Sequence, residues 1–196
     1  KVLDAWQVKA PSQQAPPCPK EAALASSIAL FVSGDWLEST AVLICFVGLL
    51  RISEALRLRM CDIFFSAEEA RPAVILVLGR TKRGQEQKVV ITNVEVVKWL
   101  RFTVARRESE GARKDQYLVP TTYKRVSSRF SMACRILGLP GSWTTHSLRR
   151  GGATEMLIQQ VPLENIMEYG RWASMASARL YLRRGEVALL RCRGDF

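Results

Sequence analysis

The sequence predicts a mainly α-helical domain with one small antiparallel β-sheet, an α+β fold. Apolar residues recur at helical spacing through most of the chain. Only two short runs are rich in β-branched residues, 73–78 and 88–92, and a glycine- and lysine-bearing stretch suited to a turn separates them. At 196 residues and 48% hydrophobic content, one well-packed domain is the natural size.

Residues 1–20 carry Pro11, Pro16, Pro17 and Pro19 and read as a linker or extended arm, with the folded domain over 21–196. Helix is expected from Glu21 to Val32, stopped by Ser33-Gly34, and again from Leu37 to Leu50, a run so apolar that it belongs in the core. Ala73 to Leu78 and Lys88 to Thr92 form a hairpin with a basic tip. Helical spacing resumes from Asn93 to Arg107, and a charged loop follows to Asp115. The next helix, Thr122 to Leu137, places Lys124, Arg125, Arg129 and Arg135 opposite Val126, Phe130 and Ile136. Leu139-Pro140-Gly141 ends it, and a further helix covers the run from Ser147 to Gln160. Trp172 and Tyr181 are nine residues apart, which on one helix would put their rings on roughly opposite sides, so a break is expected. Ser174 can cap a short helix, 175–184, that carries Tyr181, and another short helix is possible over 186–191.

The formal charge is +11, from 29 Lys and Arg against 18 Asp and Glu, and favours a polyanionic partner. Nucleic acid fits better than a membrane, because the longest apolar run, Ala41 to Leu50, is about half of what a spanning helix needs. A basic RNA-binding module would need exposed aromatic platforms that the sequence lacks. Five widely spaced cysteines with no C-x-x-C pair read as reduced intracellular thiols. One histidine, no cysteine pair and no acidic cluster argue against a metal cofactor, so chemistry on phosphate would run without one.

The only histidine, His146, stands three residues before Arg149, on neighbouring faces of one helix near its start. A guanidinium fork and an imidazole there can engage one phosphate. Arg51 ends a long apolar run and would be costly to bury without an anion or carboxylate; Glu54, three residues on, is the candidate partner. An i,i+3 surface ion pair is the plainer alternative.

His-x-x-Arg at 146–149, Gly-x-Trp at 170–172 and then Tyr181 resemble the C-terminal signature of the tyrosine recombinases, the phage integrase family. Tryptophan at 172, where most members carry histidine, is similar to Cre recombinase. Gly48-Leu49-Leu50-Arg51-Ile52-Ser53-Glu54 looks like the family's first arginine motif, and Gly79-Arg80-Thr81-Lys82 is similar to the hairpin that carries its lysine. The resemblance runs from Glu21 onward and implies the integrase catalytic-domain fold, with the family's upstream core-binding domain not included. It implies catalytic roles for Arg51, Glu54, Lys82, His146, Arg149, Trp172 and Tyr181, with Tyr181 the nucleophile and Lys82 the general acid. Lys88 is the second choice for that acid. It also implies double-stranded DNA as partner, a tetramer on that DNA, and no cofactor; the basic hairpin residues Arg80 and Arg83 are expected contacts, and with so high a net charge the basic helix face of Lys124, Arg125 and Arg129 is expected to meet the DNA backbone. The expected activity is DNA cleavage and rejoining through a 3′-phosphotyrosyl link. A DNA-binding remnant that no longer cleaves and a type IB topoisomerase-like enzyme are the alternatives.

Overall fold

The computed structural model describes residues 16–68, 70–80, 86–172, 174 and 178. The expected helices over 175–184 and 186–191, most of the expected arm, and the residues Lys82, Arg83, Tyr181 and Cys192 lie outside them.

Helix α2, Trp36–Val47, is the axis on which the other elements are laid. Its sequence is apolar on nearly every face, and ten of its residues are buried. A helix of that kind needs neighbours all round. They are α1 (Lys20–Val32), α4 (Val94–Ser109), α5 (Tyr123–Ile136) and α6 (Thr145–Ile158), with α3 (Ile52–Arg57) following α2 and α7 (Leu163–Gly170) packed on α6. Each contributes a stripe at helical spacing: Val96, Val97, Leu100 and Thr103 from α4, and Val126, Phe130, Ala133 and Cys134 from α5. Asn93 and Thr122 cap these two helices by accepting from the N–H groups of Val96 and Arg125, so both start where the sequence predicts. Among the described residues no helix is long and apolar enough to cross a membrane.

The sheet is antiparallel in the order β1-β2-β3, with β1 at Ile63–Phe65, β2 at Val74–Arg80 and β3 at Glu86–Ile91. Val74, Leu76, Val89 and Ile91 bury one face against the helices, while Ile75 and Val90 on the other face are exposed. Strand β1 was not anticipated. Three residues are too few for an alternation to register, and they become a strand by pairing with β2 in the register Ile63↔Leu76 to Phe65↔Val74.

Two further departures bear on the site. The second helix ends at Val47 and not at Leu50, because Gly48 caps it and Leu49 turns left-handed at φ 47°. Leu49 and Leu50 nevertheless remain buried, so the apolar pattern outlasts the helix. At the other end of the chain, residues 16–19 of the expected arm lie against α6: Cys18 is buried, and its N–H donates to the Ser147 carbonyl at 2.9 Å.

Helix α6 meets the end of α2 at Gly152. A Cβ there would lie 2.0 Å from the Phe46 carbonyl oxygen, a backbone atom that cannot swing aside. Gly152→Ala is therefore expected to cost about 2–4 kcal/mol in urea unfolding with an unchanged slope. Alanine's better helix propensity, worth about 1 kcal/mol, pulls the other way. A neutral or stabilised variant would show that the two helices can separate freely.

Candidate active site

Three segments distant in sequence meet where α2 gives way to α3: residues 48–54, the first half of α6, and the turn that ends α7. Each brings an arginine to one carboxylate. Glu54 sits in the first turn of α3 and accepts from the backbone N–H of Arg51 at 2.7 Å and from the Arg51 guanidinium at 2.8 Å. Oε2, which takes the Arg51 N–H, also accepts from Arg171 at 2.8 Å, and the Arg149 guanidinium lies 3.7 Å from it. Three guanidiniums thus surround one carboxylate, leaving the cluster positively charged.

Burial would raise the Glu54 carboxyl. Arg171, the two Arg51 hydrogen bonds and Arg149 outweigh that cost and hold it below the ordinary carboxylate range.

The arginines differ in position. The Arg51 side chain is 49% exposed, at the rim, whereas those of Arg149 and Arg171 are 5% and 6% exposed and form the floor. Arg149 donates to the Leu49 carbonyl at 2.6 Å and to the Gly170 carbonyl, joining the α2–α3 turn to the end of α7. Arg171 donates to Leu49 and Tyr169 carbonyls, both at 3.1 Å. The left-handed turn at Leu49 aims one carbonyl at two buried cations, which offsets its backbone strain of about 1–2 kcal/mol.

Trp172 is half-buried, with its ring 4.9 Å from the Arg149 guanidinium carbon. The indole also closes over Gly170, where a Cβ would come within 2.0 Å of the ring. His146 is exposed in the first turn of α6. Cys45, beside Glu54 and Arg149, is fully buried; burial and then Glu54 push its thiol up, so it is not a rival nucleophile.

Arg51, Glu54, Arg149 and Trp172, singled out in the sequence, are thus brought together. Arg171 was missed. The available signal was a cation immediately after the last residue of a helix, where carbonyls await a donor. Lys88 is exposed on β3 and pairs with Glu86 at 3.0 Å. Arg80 ends β2 at the hairpin tip. Lys124 is exposed, but Arg125 and Arg129 serve the fold as well as the basic face. Arg125 donates to Glu38 at 2.7 Å and Asp35 at 2.9 Å, and Arg129 pairs with Asp35 at 3.3 Å. Burial would raise Glu38, but Thr121 and Arg125 hold it low.

Tyr169 locks the cluster from behind by donating to the Val47 carbonyl at 3.1 Å. Burial pushes its phenol up to about 12, with Arg171 opposing. A raised folded value means that this stability is fully present below the unfolded value of about 10 and is lost as pH rises through about 12. Wild type should lose roughly 2 kcal/mol more than Tyr169→Phe between pH 9 and 12, read by chemical denaturation of both. Parallel losses would show that the phenol titrates no differently in the folded chain than in the unfolded one.

The fold and cluster together define the catalytic-domain architecture of the tyrosine recombinases. Solved structures of similar fold include the XerA recombinase, 20% identical with TM-score 0.70 over 93% of this chain and 65% of that one. Others are the XerH site-specific recombinase bound to difH substrate (19%, TM-score 0.67, 90% and 53%) and a lambda integrase dimer bound to a COC′ core site (19%, TM-score 0.64, 91% and 51%). The chain spans from about half to 65% of the length of these relatives. No curated protein sequence matches it. The chain belongs to the phage integrase family, whose model matches residues 26–186.

Proposed function

We propose that this chain is the catalytic domain of a site-specific DNA recombinase that cleaves and rejoins strands through a 3′-phosphotyrosyl intermediate, without metal or nucleotide. The observation that carries the reading is the convergence of Arg51, Arg149 and Arg171 on Glu54, with Trp172 against Arg149. Such a cluster offers preorganised positive charge to a group that gains negative charge as it reacts. A phosphodiester under attack by a hydroxyl is such a group, and each donor removed from the site typically costs a few kcal/mol.

In this reading Arg51 and Arg149 bind the non-bridging oxygens, helped by His146 and the indole N–H of Trp172. The Tyr181 oxygen attacks phosphorus and gives up its proton to His146 or to water. The bond to the 5′ oxygen breaks, and Lys82, or else Lys88, protonates that leaving oxygen. Attack by a 5′-hydroxyl on the phosphotyrosine reverses the steps and rejoins DNA, since the bond energy is kept in the ester. Glu54 orients the arginines. Arg80, Arg83, Lys124, Arg125 and Arg129 contact the backbone of double-stranded DNA, on which four copies assemble. The place of action is wherever in the cell that DNA lies.

The test is a denaturing-gel search for a covalent adduct on nicked duplexes tiled across DNA flanking the native gene. An adduct whose peptide carries the nucleotide on Tyr181, with a released 5′-hydroxyl end, is the expected result. Folded protein that binds the same duplexes yet forms no adduct would identify a DNA-binding remnant instead.

A further inference from the structure

We infer that Arg171 is a positioning residue for strand cleavage: one buried guanidinium that fixes Glu54, and through it Arg51, together with the Leu49 turn that seats Arg149. This inference rests on the cleavage reading above and adds a residue that the sequence motifs did not mark.

Arg171 adopts a left-handed conformation, φ 57°, as the residue that caps α7. Glycine adopts that conformation freely, and any residue with a Cβ does so at a cost. The arginine therefore contributes something here that the turn itself does not require. Its terminal nitrogens donate to protein acceptors, Nη1 to the Tyr169 carbonyl and Nη2 to the Leu49 carbonyl and Glu54, while its buried Nε has no hydrogen-bond partner among the described residues. Its side chain is 6% exposed, like that of Arg149 at 5% and unlike that of Arg51 at 49%; what sets it apart from Arg149 is a direct bond to the Glu54 carboxylate, 2.8 Å against 3.7 Å.

What it holds are groups that matter to the other arginines. The Glu54 carboxylate takes the Arg51 guanidinium on Oε1 and shares Oε2 between the Arg51 N–H and Arg171, so Arg171 helps to fix the plane in which the Arg51 guanidinium is presented. The Leu49 carbonyl is shared by Arg149 and Arg171, so each donor orients the acceptor of the other. The grip on the Tyr169 carbonyl steadies the turn that delivers Trp172 to Arg149. The charge of Arg171, the two Arg51 hydrogen bonds and, after them, the charge of Arg149 hold the carboxylate ionised.

The test compares wild type with Arg171→Gly and Arg171→Lys in this same chain. Glycine removes the guanidinium and suits the left-handed turn, so the fold should survive. Single-turnover adduct formation on the nicked duplex is expected to fall about 10- to 100-fold in Arg171→Gly, the scale of misplaced catalytic groups, while Kd for the duplex stays within about threefold. Methylguanidinium should restore part of the rate, and Arg171→Lys should fall between. The acid limb of the rate profile should move toward neutral pH, because Glu54 loses a buried cation bonded to it at 2.8 Å. A rate within about threefold of wild type with an unmoved acid limb would overturn the inference.

A carbon-13 titration of the Glu54 carboxyl in the same proteins needs no cleavage. It should shift upward in Arg171→Gly, and an unmoved titration sinks the inference whatever the gel shows. If wild type forms no adduct but the titration shifts, the cleavage reading fails while the hold of Arg171 on Glu54 stands.

Discussion

Tyr181→Phe is expected to abolish the covalent adduct, a loss of at least about 10⁴-fold, while leaving duplex affinity within about twofold. The substitution removes one oxygen and nothing else. Phenylalanine keeps the ring and leaves every cation of the basic face in place. Binding to DNA is governed by released counterions, so the salt dependence of Kd should also be unchanged. The same assay separates nucleophile from acid. A bridging sulfur at the 5′ position of the scissile phosphate departs as a thiolate and needs no protonation. That substrate should restore cleavage to Lys82→Ala and give nothing with Tyr181→Phe. Restoration in Lys88→Ala, with no defect in Lys82→Ala, would move the acid from Lys82 to Lys88.

The parts of the molecule that were legible in sequence are those fixed by near neighbours. The Arg51–Glu54 pair lies within one turn of α3, and the caps Asn93 and Thr122 act on residues three positions away. The helices showed themselves because each buries a stripe at 3.6-residue spacing. Where burial and helix part company, the reading overran: Leu49 and Leu50 continue the apolar pattern of α2 but lie beyond its end, in a turn made by backbone dihedrals. Strand β1 exists only through its partner β2.

The same distinction governs the site. Arg51, Glu54, Arg149 and Trp172 could be listed from their motifs, but Arg171 could not: it lies 117 residues from Glu54, and no local rule reports their contact. Arg125 and Arg129 make the complementary case. Helical spacing correctly puts them on the outer side of α5, yet it cannot show that Asp35 and Glu38, from the entry to α2, reach across to them. A basic face read from one helix overstates the charge available to DNA by whatever the rest of the fold neutralises.

Arg149→Ala is expected to damage both the chemistry and the fold, and the two losses can be told apart. The guanidinium is buried, its terminal nitrogens reach carbonyls of two segments, and its face rests on Trp172. Removing it leaves the Gly170 carbonyl without that donor, opens a gap beneath the indole, and frees the turns at 49 and 170 from each other. Loss of a buried charged hydrogen-bond network of this kind costs about 3–5 kcal/mol, set partly against relief of repulsion from Arg51 and Arg171. Adduct formation should fall by at least about 10³-fold in protein that remains folded, since a donor to the transition state disappears with the anchor of a second. Arg149→Lys separates the terms. It retains the charge, but a single ammonium cannot reproduce a planar fork directed at two carbonyls and an aromatic face. Lysine should therefore recover most of the duplex affinity and part of the stability, and still cleave about 10²-fold more slowly than wild type. If Arg149→Lys matched wild type in single turnover, positive charge without the fork geometry would suffice, and the turns at Leu49 and Gly170 would lose their place in catalysis.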